Sequence, residues 1–375
     1  MKNFKDFKKI KKYLALSTGA LLFIFQIAHA TPPVDYSMVG VYCANDSDPS
    51  TGFGSVNDNY QMGVYEVTIG QYTAFLNAVA YREDTYGLYN SNMANILNTA
   101  GISRSGSPGS YVYTVMNNGG DSSNRPITNV SWFDAARFAN WMSNGQPTSC
   151  EISTTTENGA YDLSGVDYFL NKNNKNLDLG LCAEHLQKPI MDMAQPIAPA
   201  RNQTNPNTDE PPLYYIPTEN QWYKAAYYDR SLNDYTGGYY LYATGTNVIH
   251  GNDPSETQAP GYVNYLNESS GYAVTQSAAF SLSQNYLTDV GNYAASHSSY
   301  ETFDQTGNVW EWNDLDGTAS VIKGLRGGAY TSTLPYLKSS YRMGYIATGS
   351  NPNAGFRLAG SVRNGAMGLR LGLRC

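Results

Sequence analysis

The segment most informative about the fold is residues 304–312, Asp304-Gln305-Thr306-Gly307-Asn308-Val309-Trp310-Glu311-Trp312. Two further short motifs follow it along the chain, Arg-Gly-Gly-Ala-Tyr at 326–330 and Gly-Phe-Arg-Leu-Ala at 355–359. Three motifs precede it, Tyr-Glu-Val-Thr at 65–68, Pro-Ile-Thr-Asn-Val-Ser-Trp at 126–132 and Ile-Pro-Thr-Glu-Asn-Gln-Trp at 216–222. Each piece alone is a weak signal, and their fixed order makes the signature specific.

The three earlier motifs each predict the start of a short helix. Thr68, Ser131 and Thr218 are each followed three residues later by Gln or Asp, the pattern of a capping box, and apolar residues then recur at helical spacing. Gly145 is a plausible stop for the second helix. Tyr, Gly, Asn and Ser are abundant and charged residues are sparse, which favours a loop-rich α+β domain with short strands over a helical bundle.

Residues 1–30 have the pattern of a signal peptide. Six lysines precede a mostly apolar run from Tyr13 to Ile27, and Ala28-His29-Ala30 is a small-x-small cleavage site. The run is short for a membrane anchor, the alternative reading, and no later run is apolar enough to span a bilayer. We therefore expect an exported protein, secreted or periplasmic, whose mature chain starts at Thr31.

The mature chain is acidic. The leader holds six Lys and one Asp, so its removal changes the formal net charge from −7 to −12. This balance argues against nucleic acid as a partner, because phosphate binding needs a clustered basic face. Four cysteines in an exported chain suggest disulfides, with the pairs Cys150–Cys182 and Cys43–Cys375 favoured and free thiols as the alternative.

We expect a single domain over 31–375, with one surface insertion at about 147–212. That region includes a run of Asn and Lys at 171–176 and a polar, proline-containing run at 201–212. Such segments bury too little apolar area to offset the loss of chain entropy. A separate small domain there is the alternative.

From about Tyr60 to Ala359 the ordered motifs resemble the formylglycine-generating enzyme (sulfatase-modifying factor) family. The resemblance implies a modified C-type-lectin-like fold with little regular structure. It also implies an oxidase that converts a sulfatase cysteine to formylglycine, using two thiols that bind copper just beyond the motif at 326–330.

Both copper-binding thiols are missing. Aligning on residues 327–330 puts Ser332 and Leu337 at their positions, and aligning on Tyr341-Arg342 moves the second position to Ser340. Serine oxygen is a poor Cu(I) ligand and leucine is none. The sequence therefore argues against copper and against formylglycine generation by this mechanism, and it describes a divergent family member without the catalytic cysteine pair.

Iron and hydrolase chemistry have little support in the sequence. Relatives with the same fold catalyse other reactions, some with non-haem iron, which needs His and carboxylate ligands. The mature chain holds only His185, His250 and His297, widely separated, and no serine lies in a Gly-x-Ser-x-Gly elbow.

Calcium is the cofactor that the resemblance still predicts. The family's calcium loop matches Asp304, Gly307, Val309 and Glu311, which offer two carboxylates and two backbone carbonyls, the oxygen ligands that Ca²⁺ prefers. A glycine turn with two solvated acids is the alternative. A second, weaker family site would begin at Asn264 and Tyr265.

The residues of a ligand pocket are the last prediction. Trp310 matches an aromatic position near the family's active site, with Tyr336 and Arg342 expected nearby; core packing and a structural ion pair are the alternatives. Three functions stay open: a calcium-binding protein with an unknown ligand or protein substrate, a metal-dependent oxidative or tautomerising enzyme of the wider family, and a lectin-like ligand-binding module.

Overall fold

A computed structural model describes the backbone of residues 36–39 and all atoms of residues 47–164 and 196–362. The predicted signal peptide and Cys43, Cys182 and Cys375 lie outside these ranges, so the predictions of leader cleavage and disulfide pairing stay predictions. Cys150 is buried. No helix within the described ranges is long and apolar enough to cross a membrane.

The three helices predicted from capping boxes are present. Helix α1 (Ile69–Val79), helix α3 (Trp132–Ser143) and helix α4 (Glu219–Tyr227) begin after Thr68, Ser131 and Thr218, and each cap has both reciprocal hydrogen bonds of the box. These bonds satisfy backbone N–H groups that the first turn of a helix leaves without partners. Gly145 has φ +82° just past the end of α3, as a helix stop requires. A short helix α2 spans Asn92–Asn95.

Two four-stranded sheets organise the molecule. In the first, β1 (Tyr36–Val39), β2 (Tyr60–Gly63), β14 (Ala359–Ser361) and β5 (Tyr214–Tyr215) lie in that order, all antiparallel. In the second, the order is β12 (Met343–Ile346), β11 (Ile322–Arg326), β10 (Trp310–Asn313) and β13 (Ala354–Phe356). The β10–β13 pair is parallel, with Glu311 opposite Gly355.

The remaining strands form two-stranded ribbons: β3 (Ile102–Ser105) with β4 (Val112–Val115), β6 (Tyr228–Asp229) with β7 (Gly238–Tyr239), and β8 (Leu266–Asn267) with β9 (Gly271–Tyr272). A π-helical turn spans Ser153–Glu157 and a 3₁₀ turn spans Leu334–Leu337. Long irregular segments connect these elements, so the predicted loop-rich α+β class with short strands and few helices is confirmed.

The main core joins α1 and α3 to the second sheet through aromatic rings. Phe75 on α1 contacts Phe138 and Trp141 on α3, with ring centroids 5.3 and 5.2 Å apart. Phe138 in turn packs edge-on against Phe356 of β13 at 5.5 Å. Because aromatic side chains bury large areas, this cluster fixes the position of β13 and, through it, of the signature strand β10.

The first part of the segment predicted as a surface insertion, at about 147–212, packs against the core. Glu157 is buried and pairs with Arg137 of α3 at 2.8 Å, and Tyr161 and Leu163 are fully buried in the main core. Arg137 is itself fully buried, so it needs a counter-charge at this point. Residues 149–163 are therefore part of the core rather than a surface segment, and residues 165–195 lie outside the described ranges.

Candidate functional site

The three motifs of the signature meet in one sheet. Trp310–Asn313 (β10) lies between the strand that ends at Arg326 (β11) and the strand Ala354–Phe356 (β13). Motifs that lie up to about 50 residues apart in sequence therefore form neighbouring strands. The loop 304–309, which precedes β10, is held by a hydrogen bond from Gly307 N–H to the Gly327 carbonyl at 2.9 Å.

Glu311 is committed to an ion pair. Its Oε2 accepts from Arg357 Nε at 2.6 Å and from Trp222 Nε1 at 2.8 Å, and its Oε1 accepts from Arg357 Nη2 at 2.7 Å. Both side chains of the pair are fully buried. Glu311, predicted as a calcium ligand, is thus the counter-charge of the buried Arg357, which needs one because a buried unpaired charge is costly.

Two more buried carboxylates share that guanidinium. The pKa of Glu66 lies well above its ordinary value because the group is buried and because Asp304 and Glu311 are close to it. Burial also raises the pKa of Asp304 to about 6, although Asp304 Oδ2 accepts from Gly291 N–H at 2.6 Å. Three carboxylates therefore face one cation, Arg357, and this region would be stabilised by protons or by a further cation.

Asn264, predicted to begin the second calcium site, lies against the same loop. Its carbonyl accepts from Asn308 N–H at 2.9 Å, and its amide donates to Asn308 Oδ1 at 3.1 Å. Asn308 Nδ2 donates in turn to Glu66 Oε2 at 3.1 Å, so one asparagine links the two predicted sites. Asn264 Oδ1 and Glu66 Oε1 are buried and have no hydrogen-bond partner.

The oxygen donors of this region fit calcium only in part. Asp304, Glu66 and Asn264 offer suitable oxygen atoms, whereas Glu311 is engaged by Arg357 and Trp222, and the Tyr265 carbonyl accepts from Asn252 at 2.9 Å. Among the described residues there is no group of three or more His, Cys, Asp or Glu side chains arranged to hold a metal ion. The calcium site predicted at Asp304, Gly307, Val309 and Glu311 therefore stays a prediction, with Glu311 already engaged by Arg357 and Trp222.

The two positions of the missing thiols converge on one glycine. A Cβ atom built on Gly328 would lie 2.3 Å from Leu337 Cδ2 and 3.5 Å from Ser332 Cβ. Leu337 is fully buried among Tyr242, Val263 and Tyr265, and Ser332 Oγ accepts from Ala329 N–H at 3.0 Å. The alternative position, Ser340, is exposed. In the alignment on residues 327–330, the two expected thiol positions thus carry a buried apolar side chain and a hydrogen-bonded hydroxyl.

An aromatic cluster adjoins this place. The Trp310 ring lies 5.8 Å from Tyr341, and Tyr341 lies 4.9 Å from Tyr336 in an edge-on arrangement. Trp310 is 8% exposed and belongs to the main core, whereas Tyr336 is 44% exposed. The cluster thus reaches from the core to the surface, and we call Trp310, Tyr336 and Tyr341 the aromatic face.

Arg342 forms the structural ion pair that was the alternative to a pocket role. Its Nε and Nη2 donate to the two oxygens of Glu219 at 2.7 and 2.6 Å, and the fully buried Arg326 donates to Glu219 at 2.8 Å. Glu219, on α4, was not singled out from the sequence, although it stands in the third helix motif. Its pairing ties α4 to the segment that follows the thiol positions.

The two histidines in the described ranges take part in ordinary local contacts. His250 stacks on Tyr262, with ring centroids 6.4 Å apart, and His297 Nδ1 lies 2.9 Å from the Ser298 carbonyl. His185 lies outside those ranges.

The chain is similar to a known protein family in sequence and to solved structures in fold. The model of the sulfatase-modifying factor enzyme 1-like domain matches residues 44–362, and no curated protein matches the chain in sequence. Similar solved structures include CarF (18% identity, 88% of this chain and 99% of that one, TM-score 0.44) and variable protein 1 of Treponema denticola (16%, 87% and 95%, 0.41). PvdO from Pseudomonas aeruginosa is also similar (13%, 88% and 92%, 0.38). With the domain match covering most of its length, this chain belongs to the sulfatase-modifying factor family, also known as the formylglycine-generating enzyme-like family.

Proposed function

We propose that this protein is an exported, calcium-stabilised member of the family that binds a ligand at its aromatic face and does not generate formylglycine by the copper-thiolate mechanism. One observation carries the proposal: Leu337 and Ser332 meet at Gly328, where the mechanism needs two thiolates. A buried leucine offers no metal ligand, and a hydroxyl that accepts a backbone N–H bond is a poor ligand for a soft metal.

The replacement of the thiols is also a matter of packing. Leu337 is fully buried against Tyr242, Val263 and Tyr265. Its side chain therefore takes the space that a thiol and a bound metal would need. A buried leucine stabilises a fold by about 2 kcal/mol or more through transfer of its apolar surface. The change from thiol to leucine therefore converts a reactive site into a part of the hydrophobic core.

Calcium is proposed at the loop 304–308. Glu66, Asp304 and Asn264 are the donors that would hold it, and the carboxylates that share Arg357 give the region an excess of negative charge. Ca²⁺ takes six to eight oxygen atoms, and backbone carbonyls and water would complete such a set. When bound, the ion neutralises buried charge and joins Asn264 to the signature loop; its role is structural.

The aromatic face supports a binding role. Tyr336 is 44% exposed beside the nearly buried Trp310, and a side-on aromatic surface of this kind stacks against flat apolar faces such as those of sugars or aromatic side chains. A lectin-like role is one form of this proposal.

Restoring the thiols tests the negative half of the proposal. Purified wild-type protein should leave a sulfatase-motif peptide unoxidised with Cu(I) and oxygen present, as judged by mass spectrometry. The double variant S332C/L337C should bind Cu(I) and the single variant S332C should bind it far more weakly, because two thiolates are needed. Oxidation of the peptide by the wild-type protein would overturn the proposal.

A glycan array with the wild-type protein, repeated with Y336A, tests the binding half. Tyr235 is 78% exposed and lies outside the aromatic face, so Y235A is the matched control. Ligands bound by the wild type and Y235A but lost with Y336A support the proposal; binding that survives Y336A refutes the assigned face.

The calcium part of the proposal is tested by thermal unfolding with and without Ca²⁺. D304N should abolish a calcium-dependent rise in melting temperature, and D58N, the control at an exposed position, should retain it.

A further inference from the structure

A second buried acidic site lies far along the chain from the signature, at the turn Asp84–Gly87. The turn is closed by a hydrogen bond from Gly87 N–H to the Asp84 carbonyl at 3.3 Å, and Gly87 has φ +69°. Glu151 reaches this turn from the segment after α3, and its Oε2 accepts from Tyr86 N–H at 2.9 Å. Glu151 is fully buried and the Asp84 side chain is 6% exposed.

Each of the two carboxylates uses only one of its oxygens. Asp84 Oδ2 accepts from Tyr89 N–H at 3.2 Å and from Arg104 Nη1 at 3.1 Å, and Glu151 Oε2 holds the turn as described. Among the described residues, the other oxygens, Asp84 Oδ1 and Glu151 Oε1, are buried without a hydrogen-bond partner, and so is the hydroxyl of Thr85, the next residue in the turn. Such unpartnered oxygens are unusual, because buried polar atoms are nearly always paired.

The charges around the turn do not balance. Four buried carboxylates lie within electrostatic reach of one another, namely Asp84, Asp134, Glu151 and Glu157. Among the described residues, two guanidiniums pair with them: Arg137 is held by Glu157, and Arg104 pairs with Asp84 at the outer side. If all four carboxylates are ionised, the group has an excess of two negative charges in a buried environment, which is costly unless it is compensated.

We propose that Asp84, Thr85 and Glu151 form a binding site for a divalent oxygen-preferring cation, Ca²⁺, that is separate from the signature loop. The three unpartnered oxygens are hard donors of the kind Ca²⁺ selects, and its two charges match the excess of two. Backbone carbonyls of the turn and water complete the coordination. The bound ion fastens the turn 84–87 to Glu151, and thereby to the segment packed on α3.

Protons are the competing way to neutralise the site. Burial raises the pKa of Asp84 to about 7, and burial together with the nearby Asp84 raises that of Glu151 well above its ordinary value, so both shifts favour protonation when no cation is bound. The two possibilities differ in a measurable way. A calcium site binds Ca²⁺ with release of protons, whereas a proton-sharing pair has no affinity for Ca²⁺.

Calorimetric titration of the chelator-treated mature chain with CaCl₂ at pH 7.5 tests the site. D304N removes the proposed calcium at the signature loop, so the binding that remains in D304N belongs to the turn. Adding D84N or E151Q to D304N should weaken that remaining binding by at least about tenfold, while adding D58N, at an exposed position, should leave it unchanged.

Two further measurements keep the outcome interpretable. Near-ultraviolet circular dichroism of each variant shows that it is folded, and T85V, which removes only the hydroxyl, should weaken binding less than D84N. Calcium binding in D304N that persists in both carboxylate variants would overturn the proposal. So would the absence of any calcium binding in D304N, and stabilisation by E151Q would then identify a proton-sharing pair. A decrease in calcium stoichiometry in D304N, with binding still present, concerns the signature loop and leaves this site intact.

Discussion

Replacing Glu311 by glutamine tests whether the Glu311–Arg357 pair is the electrostatic centre of the signature. The two side chains are fully buried and joined by contacts of 2.6 and 2.7 Å, and Trp222 Nε1 donates to the same carboxylate at 2.8 Å. Glutamine keeps the shape, but it removes the charge and turns one acceptor oxygen into an amide that faces a guanidinium N–H group.

The expected loss of unfolding free energy is about 3 kcal/mol, the lower end of the 3–5 kcal/mol found when one partner of a buried pair is removed. The lower end applies because Glu66 and Asp304 also face Arg357. When Glu311 loses its charge, Glu66 can ionise in its place and recover part of the Coulomb energy. E66Q alone should cost less than about 1 kcal/mol, because burial and the nearby Asp304 and Glu311 raise the pKa of Glu66, so its ionised form contributes less to stability than that of Glu311.

Urea unfolding at pH 7 in the presence of a chelator measures these effects, with D58N as the surface control. The double variant E66Q/E311Q should lose more free energy than the sum of the two single variants, since it leaves Arg357 without the reserve carboxylate. A loss below 0.5 kcal/mol for E311Q, the range usual for surface changes, would refute the reasoning. Strict additivity of the two substitutions would refute the compensation by Glu66.

Three other perturbations follow from the structure. In G307A the new Cβ would lie 2.4 Å from the Asn264 carbonyl oxygen at a φ of +94°, so we expect the unfolding free energy in urea to fall by more than about 2 kcal/mol. G52A is the control: its φ is +79° and the space around it is open, so it should lose only the free energy that a positive φ costs an alanine. Burial raises the pKa of Asp314 to about 6, although the ammonium of its ion-pair partner Lys323 lowers it. Because the folded-state pKa lies above the unfolded value, the stability from the protonated carboxyl is complete below pH 4 and is lost as the pH rises through 6. D314N should therefore reduce the fall in stability between pH 5 and 8 by about 1.5 kcal/mol, besides a pH-independent loss from the unpaired Lys323. An equal fall in both proteins would contradict that pKa. T218A removes the side-chain cap of α4, in which Thr218 Oγ1 accepts from Gln221 N–H, and should lower the unfolding free energy by about 1 kcal/mol. An unchanged unfolding free energy would contradict this cap.

The local structure was predictable because local chemistry sets it. Thr68, Ser131 and Thr218 predicted three helix starts, and all three capping boxes are present. A capping box needs only a side chain and a backbone N–H three residues away, so its sequence pattern determines its geometry. The fold class followed in the same way from composition and from the order of the motifs.

The long-range pairings could not be predicted from the same patterns. Glu311 and Arg357 are 46 residues apart, and each motif read alone left Glu311 free to bind calcium. Glu219 looked like an ordinary first-turn acid, yet it pairs with two arginines more than 100 residues away. The surface insertion predicted at about 147–212 included Glu157, because nothing in the local sequence shows that this carboxylate pairs with the buried Arg137. Partner choice between distant charges is a property of the folded chain.

The pairing of β2 with β14 has a consequence for how the protein is made. Arg357 Nη1 donates to the Gly63 carbonyl at 2.9 Å across 294 residues, and Ala359 lies opposite Met62 in the sheet. Contacts of such long sequence separation form late, because the whole intervening chain must first be present. A nascent chain that has not yet reached residue 361 therefore carries β2 and β5 as open sheet edges, which are liable to pair with other chains. Until β14 has formed, the first sheet therefore lacks the strand that joins β2 to β5.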